Sequence, residues 1–350
     1  MRAAGIAAAV GLLLASVLAF GQPGAAGADG GLEAIARSAA EGDAEALRVL
    51  SQRADGGHAV AQHYLGLMHL SGQGVRRNEL EALKWFRRAA EQGHVASMHY
   101  TGLIHERSPT DELRDQAGAL RWYRAAAERG FARSQTSLGQ MLLQGSGGGR
   151  DPAAARQWLE KAASQSEPHG QYLLGMLMFD APEGQRNDDE AARLIDLAAQ
   201  NGDRDAQYRL ALLYSGGPGK DEAIALQWLR LAAGQQHRDA EYALAVVYAR
   251  GSFGLKQDDA EAVGWLRKSA SQGNPDAQYA LGIAYAEGRG VPQSDVQSLG
   301  WLQEAEKKGH PRAKEQLARM RTRAAGPGSP LGNLPWMEPL QAAPVAPAKP

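Results

Sequence analysis

The chain has 350 residues, 44% of them hydrophobic, no cysteine and a formal net charge of −1. That apolar fraction supplies a core, the lack of cysteine excludes disulfides and thiol chemistry, and the near-neutral balance excludes the electrostatic footprint of a nucleic-acid binder. Beyond the N-terminus no stretch stays apolar for the roughly 18 residues that a membrane span requires, so no transmembrane segment is predicted in the mature chain.

The first 28 residues read as a secretory signal peptide. Arg2 gives a positive start, Ala3–Phe20 is uncharged and apolar, and Ala26-Gly27-Ala28 offers small residues for cleavage. An uncleaved N-terminal anchor is the alternative. The chain has no Asn-x-Ser/Thr sequon and no ER-retention ending. With a composition rich in Ala, Arg and Gly, these features point to the bacterial envelope, periplasmic or secreted. Residues 29–56 read as degenerate repeat material forming an N-terminal cap.

From residue 57 the sequence repeats. Six tryptophans fall at 85, 122, 158, 228, 265 and 301, and Ile195 fills the place the missing one would take in the double gap. Such a period means an array of similar supersecondary units, one solenoid rather than two domains. Copies open at Gly57, Gly93, Gly130, Ser166, Gly202, Gln236 and Gly273, and a truncated copy opens at Gly309. Each copy contains two helical segments. In the last full copy Asn274-Pro275 supplies a cap and a first-turn proline for a helix to Glu287. Gly288–Val291 then breaks it, and a second helix spans about Asp295 to Lys307 and ends at Gly309.

The fifth residue of every copy is small, from Ala61 and Ser97 to Ala277 and Ala313, and so is the tenth, from Gly66 and Gly102 to Gly282 and Ala318. Glycine inside a helix costs about 1 kcal/mol relative to alanine, so its recurrence calls for close approach of a neighbour. The predicted packing places each tryptophan against these notches, with pairs such as Ala89-Ala90 making room for the next copy. Stability then resides in nearest-neighbour interfaces.

The residues Ala277, Leu281, Gly282, Tyr285, Gly288, Gly290-Val291, Trp301, Ala305 and Gly309 resemble the Sel1-like repeat, a relative of the tetratricopeptide repeat. The predicted fold is therefore all-α, a right-handed α-solenoid of about seven helix–turn–helix repeats over 57–308. A capping helix follows at 309–323. Three inter-helix loops depart from the family's pattern: ERSPTDELRD, DAPEGQRNDD and SGGPGKD. The resemblance implies a scaffold or adaptor whose curved helical surface binds a protein or peptide partner in the bacterial envelope. It leaves open a structural connector in an export or regulatory complex, and a cell-wall hydrolase.

The residues argue against chemistry. Six of nine histidines lie in the first two copies, and His58, His63 and His69 recur as His94, His99 and His105. His63 and His69 are six residues apart, about 240° around a helix, so they diverge rather than share a metal. Later copies put tyrosine at both places, which favours ring-for-ring substitution; a pH-sensitive patch is the alternative. The acidic stretches at Asn187–Glu190 and Asp258-Asp259 sit at second-helix starts, where carboxylates cap. No Ser-x-x-Lys, Gly-x-Ser-x-Gly, His-Glu-x-x-His or Walker loop occurs. No enzymatic activity, metal site or cofactor is therefore predicted.

For the binding surface the sequence offers an aromatic row on the first helices: His63, His99, Tyr172, Tyr208, Tyr242 and Tyr279. Exposed, these rings could act as binding hot spots; the alternative is that they pack between adjacent copies. Residues 324–350 are rich in Pro and Ala and predicted to lack regular structure. Leu334, Trp336, Met337 and Leu340 form an apolar knot within that tail. It is either passive or a short motif that docks on a partner or on the array.

Overall fold

The computed structural model describes residues 30–182, 186–216 and 219–324. Among these the protein is all-α, seventeen helices and no strand, in the stacked helix-pair arrangement of a solenoid. Trp336 and its tail, like the N-terminal stretch read as a signal peptide, lie outside the described residues. The described residues group into two compact units, one up to residue 206 and one from residue 207.

The first unit contains α1 (Gly30–Ala40), α2 (Ala44–Asp55), α3 (Ala59–Ser71), α4 (Glu79–Glu91), α5 (Val95–Arg107), α6 (Gln116–Ala127), α7 (Ala132–Gln144), α8 (Pro152–Ser164), α9 (Pro168–Phe179) and α10 (Asp188–Gln200). The boundary falls within α11 (Arg204–Ser215). The second unit continues with α12 (Glu222–Gly234), α13 (Arg238–Arg250), α14 (Asp259–Ser271), α15 (Pro275–Glu287), α16 (Asp295–Lys307) and α17 (Ala313–Ala324). The departing loop of the second copy folds into a short 3-10 turn, Asp111–Leu113.

Short polar side chains start the second helices. Asn78, Asp115, Asp151, Asn187, Asp221, Asp258 and Ser294 each accept from a free amide of the first turn. The acidic stretches at 187–190 and 258–259 thus act as caps. The loops between copies reverse through left-handed backbone, which glycine adopts at Gly57, Gly93, Gly130, Gly202 and Gly273. Ser166 and Gln236 stand at the same place with φ of 58° and 60°. Left-handed geometry costs a residue with a Cβ about 1–2 kcal/mol, and glycine's freer unfolded chain offsets part of the gain from removing it. Ser166→Gly and Gln236→Gly are each expected to raise stability by about 0.5–1 kcal/mol. Urea denaturation midpoints check this; unchanged or lowered midpoints would show that no strain is stored there.

The caps also fix the register of the packing, and this corrects the sequence reading. Seven residues beyond each cap stand Trp85, Trp122, Trp158, Trp228, Trp265 and Trp301, and beyond Asn187 the same place is held by Leu194, not Ile195. The tryptophans are half-buried. The buried residue is the next one: Phe86, Tyr123, Leu159, Ile195, Leu229, Leu266 and Leu302. It is this residue that fills the notch. A Cβ on Gly66 would lie 2.6 Å from the Phe86 ring, and one on Gly102 would lie 2.9 Å from Tyr123. Gly139, Gly175 and Gly282 face Leu159, Ile195 and Leu302 in the same way. The indole, turned 100° around the helix, packs instead at the edge of a joint. Trp85 borders the cluster of Leu32, Leu50, Leu65 and Met68, and Trp265 borders two clusters in the second unit.

Candidate functional site

The aromatic row is the first place to look for a binding surface, and two members are not on it. His63 and His99 are 5% and 9% exposed. Each lies against the residue that caps the next copy's first helix: His63 on His94, ring centroids 4.6 Å apart, and His99 on Phe131 at 5.3 Å. Tyr172, Tyr208, Tyr242 and Tyr279 are half-buried. Tyr208 and Tyr279 lean on the same place in the following copy, His237 and His310, at 4.6 and 4.2 Å. The row is therefore mainly a joint between copies, because a first-helix ring can reach the N-terminal cap of the next first helix. The exposed wall expected from sequence fails at His63 and His99.

The two buried histidines carry matched partners. His63 Nδ1 and His99 Nδ1 lie 2.9 Å from Ser97 Oγ and Ser134 Oγ, the fifth residues of the following copies. His94 Nδ1 accepts from the Ser97 amide and lies 2.9 Å from its hydroxyl. The Ser97 hydroxyl therefore donates to His94 and accepts from the protonated Nδ1 of His63. Where the row holds tyrosine, the facing fifth residue is alanine: Ala206, Ala240, Ala277 and Ala313. Burial drives the His63 pKa well below its usual value, and electrostatic interaction with the nearby His94 and His99 imidazoles adds to the effect. Burial likewise brings His99 to about 3, helped by the charges of Arg133 and Arg107.

A second ladder escaped the sequence reading. At the end of five second helices a side-chain amide donates to a side-chain carbonyl or carboxylate one copy earlier, in the first unit Gln92 to Gln62 at 2.7 Å, Gln165 to Gln135 at 2.8 Å, and Asn201 to Gln171 at 3.2 Å. In the second unit Gln235 donates to Gln207 and Gln272 to Glu241. Gln62 and Gln135 also donate to the carbonyls of Ala54 and Ala127. The signal was a glutamine recurring at the sixth residue of the copies. Its role is structural, since it satisfies helix-end carbonyls that the stacking would leave without water.

The exposed surface with shape lies on second helices. Arg87 and Glu91 of α4 with Arg121, Trp122 and Ala125 of α6 line an open groove of about 460 Å³. Arg87 is fixed there: its Nη2 donates to His105 Nε2 at 3.1 Å, and His105 Nδ1 donates to the Leu113 carbonyl. Cations also lie over neighbouring indoles, Arg88 on Trp85 at 4.6 Å and Lys161 on Trp158 at 4.1 Å. A guanidinium beside a half-buried indole suits a carboxylate-bearing peptide with an apolar neighbour.

One further cluster unites residues that the sequence reading kept apart. His169 on α9 lies 2.9 Å from Asp203 Oδ2 and 3.6 Å from Asp205 Oδ2. Burial lowers the His169 pKa, but the hydrogen bond and charge of Asp203, with Asp205 and Glu167, outweigh it and the net shift is upward.

The Sel1 repeat family matches seven consecutive segments, 59–94, 95–131, 132–167, 168–203, 204–237, 238–274 and 275–310. Among solved structures, a Sel1 repeat protein from Oxalobacter formigenes is similar, at 32% identity over 83% of this chain and 84% of its own, with a TM-score of 0.48. A protective antigen of uropathogenic Escherichia coli strains, displaying an SLR fold, is 24% identical over 91% of this chain and 80% of its own, with a TM-score of 0.47. A putative sel1 repeat protein from Klebsiella pneumoniae subsp. pneumoniae is 26% identical over 57% of this chain and 98% of its own, with a TM-score of 0.39. No curated protein matches.

Proposed function

This chain belongs to the Sel1 repeat family, and we propose that it is a non-enzymatic scaffold or adaptor, periplasmic or secreted, that binds a protein partner through the second-helix face of its first unit. Repeats of this family generally mediate protein–protein interaction and are generally non-enzymatic. The observation that carries the reading is the groove of Arg87, Arg121 and Trp122. Aromatic and arginine side chains dominate binding energy when a partner desolvates them. The partner it suits is an acidic peptide segment that places a carboxylate on the guanidinium groups and an apolar side chain on the indole. The signal-peptide pattern of residues 1–28 supports export.

Affinity capture from envelope extracts, with mass spectrometry, tests the reading. Arg121→Glu combined with Trp122→Ala should weaken capture of the main partner about thirty-fold or more, the loss of about 2 kcal/mol that defines a hot spot. Equal recovery by parent and variant would remove the groove from consideration. N-terminal sequencing of the envelope fraction should place the mature start near residue 29; a chain that remains in the cytoplasm would end the export reading.

A further inference from the structure

We propose that His169, Asp203 and Asp205 bind a divalent transition-metal cation of the zinc class, stapling the first turn of α9 to Asp203–Asp205 within the first unit. One imidazole nitrogen and two carboxylate oxygens lie within 4.8 Å of one another, the one such set of three among the described residues. Zinc holds nitrogen and oxygen ligands at about 2.0–2.2 Å, so two ligands sharing one tetrahedral ion stand roughly 3.4 Å apart. The separations from His169 Nδ1, 2.9 Å to Asp203 and 3.6 Å to Asp205, straddle that value.

The orientation of the second ligand is fixed from behind. Asp203 Oδ1 accepts from the Ala206 amide at 2.7 Å, which leaves Oδ2 turned toward the imidazole. Outer hydrogen bonds of this kind hold a metal ligand in place. The His169, Asp203 and Asp205 side chains are 31%, 7% and 34% exposed, so the position is sheltered but open to an entering ion and to a water as fourth ligand. The nitrogen donor distinguishes the set from the all-oxygen cages that calcium and magnesium prefer.

Equivalent joints of the second unit lack the combination. At one, Asn274 stands where Asp203 does and donates its amide to Asp239 at 2.8 Å. At the next, His310 faces Asp276, and the third place is taken by Arg312, a cation. Of these three joints, only that of His169 combines an imidazole with two carboxylates.

Calorimetric titration of the metal-free full chain with zinc chloride tests the proposal. One Zn²⁺ should bind per chain and raise the melting temperature, while equal magnesium should not. Asp205→Asn leaves the Asp203 cap intact, and His169→Gln keeps a side chain of similar reach. Each should weaken zinc binding at least about tenfold with the helical circular dichroism unchanged. Absence of saturable binding, or an affinity that either substitution leaves unchanged, would overturn the site.

Discussion

Phe86→Ala should destabilise the first unit by about 3–5 kcal/mol, while Trp85→Ala, one residue earlier, should cost less than half as much. Phe86 is fully buried, stacked on Tyr100 at 5.1 Å and set into the notch of Gly66. Truncating it removes a ring from a site whose walls are helix backbones and cannot collapse, so transfer and cavity costs add. Trp85 is half-buried, with Arg88 over its exposed face. Its loss removes edge packing and a cation–π contact of about 0.5–1 kcal/mol at an exposed site. In a repeat array the cost falls on the joint that the residue shares with its neighbours. Urea denaturation of the two variants decides the matter. A larger loss for Trp85→Ala would mean that the indole, not the residue behind it, locks the hairpin.

The contrast between those two residues marks how far the sequence could be read. The period, the caps at Asn187, Asp258 and Asn274, the turn glycines and the small fifth and tenth residues were all legible, because each follows from a local backbone demand or a recurring close approach. The rotation of the second helix was not. A tryptophan and the residue after it have the same period, and spacing alone does not say which of them faces the notch. Ile195 exposed the ambiguity: it lies in the right stretch, yet it aligns with Phe86 and not with Trp85. The binding face was hidden for a related reason. A recurrent ring on the first helix fits an exposed row and an inter-copy stack equally well, and only the distance from His63 to His94 separates them. The groove at Trp122 depends on side chains from two copies, which no single repeat contains.

The same stack makes the first unit acid-sensitive. His63 and His99 are neutral when folded, because protonation would place a charge in a joint that offers one serine hydroxyl each and no carboxylate contact. An unfolded histidine titrates near 6.5, whereas His99 in the fold titrates at about 3. Between those values the unfolded chain binds the extra proton, so this contribution is complete above pH 6.5 and is lost as pH falls toward 3. The loss is about 1.4 kcal/mol per pH unit for such a group, or about 3 kcal/mol for His99 at pH 4.5. His63 shifts in the same direction and adds to it. That is a large share of the roughly 5–15 kcal/mol that holds a typical domain together. Denaturation between pH 7.5 and 5 isolates the effect, since carboxylates titrate lower. Replacing His99 and Ser134 by the tyrosine–alanine pair found at Tyr208 and Ala240 should remove about one proton from the slope of stability against pH. A parent whose stability stays level from pH 6.5 to 5 would show that these imidazoles are not held neutral by the joint.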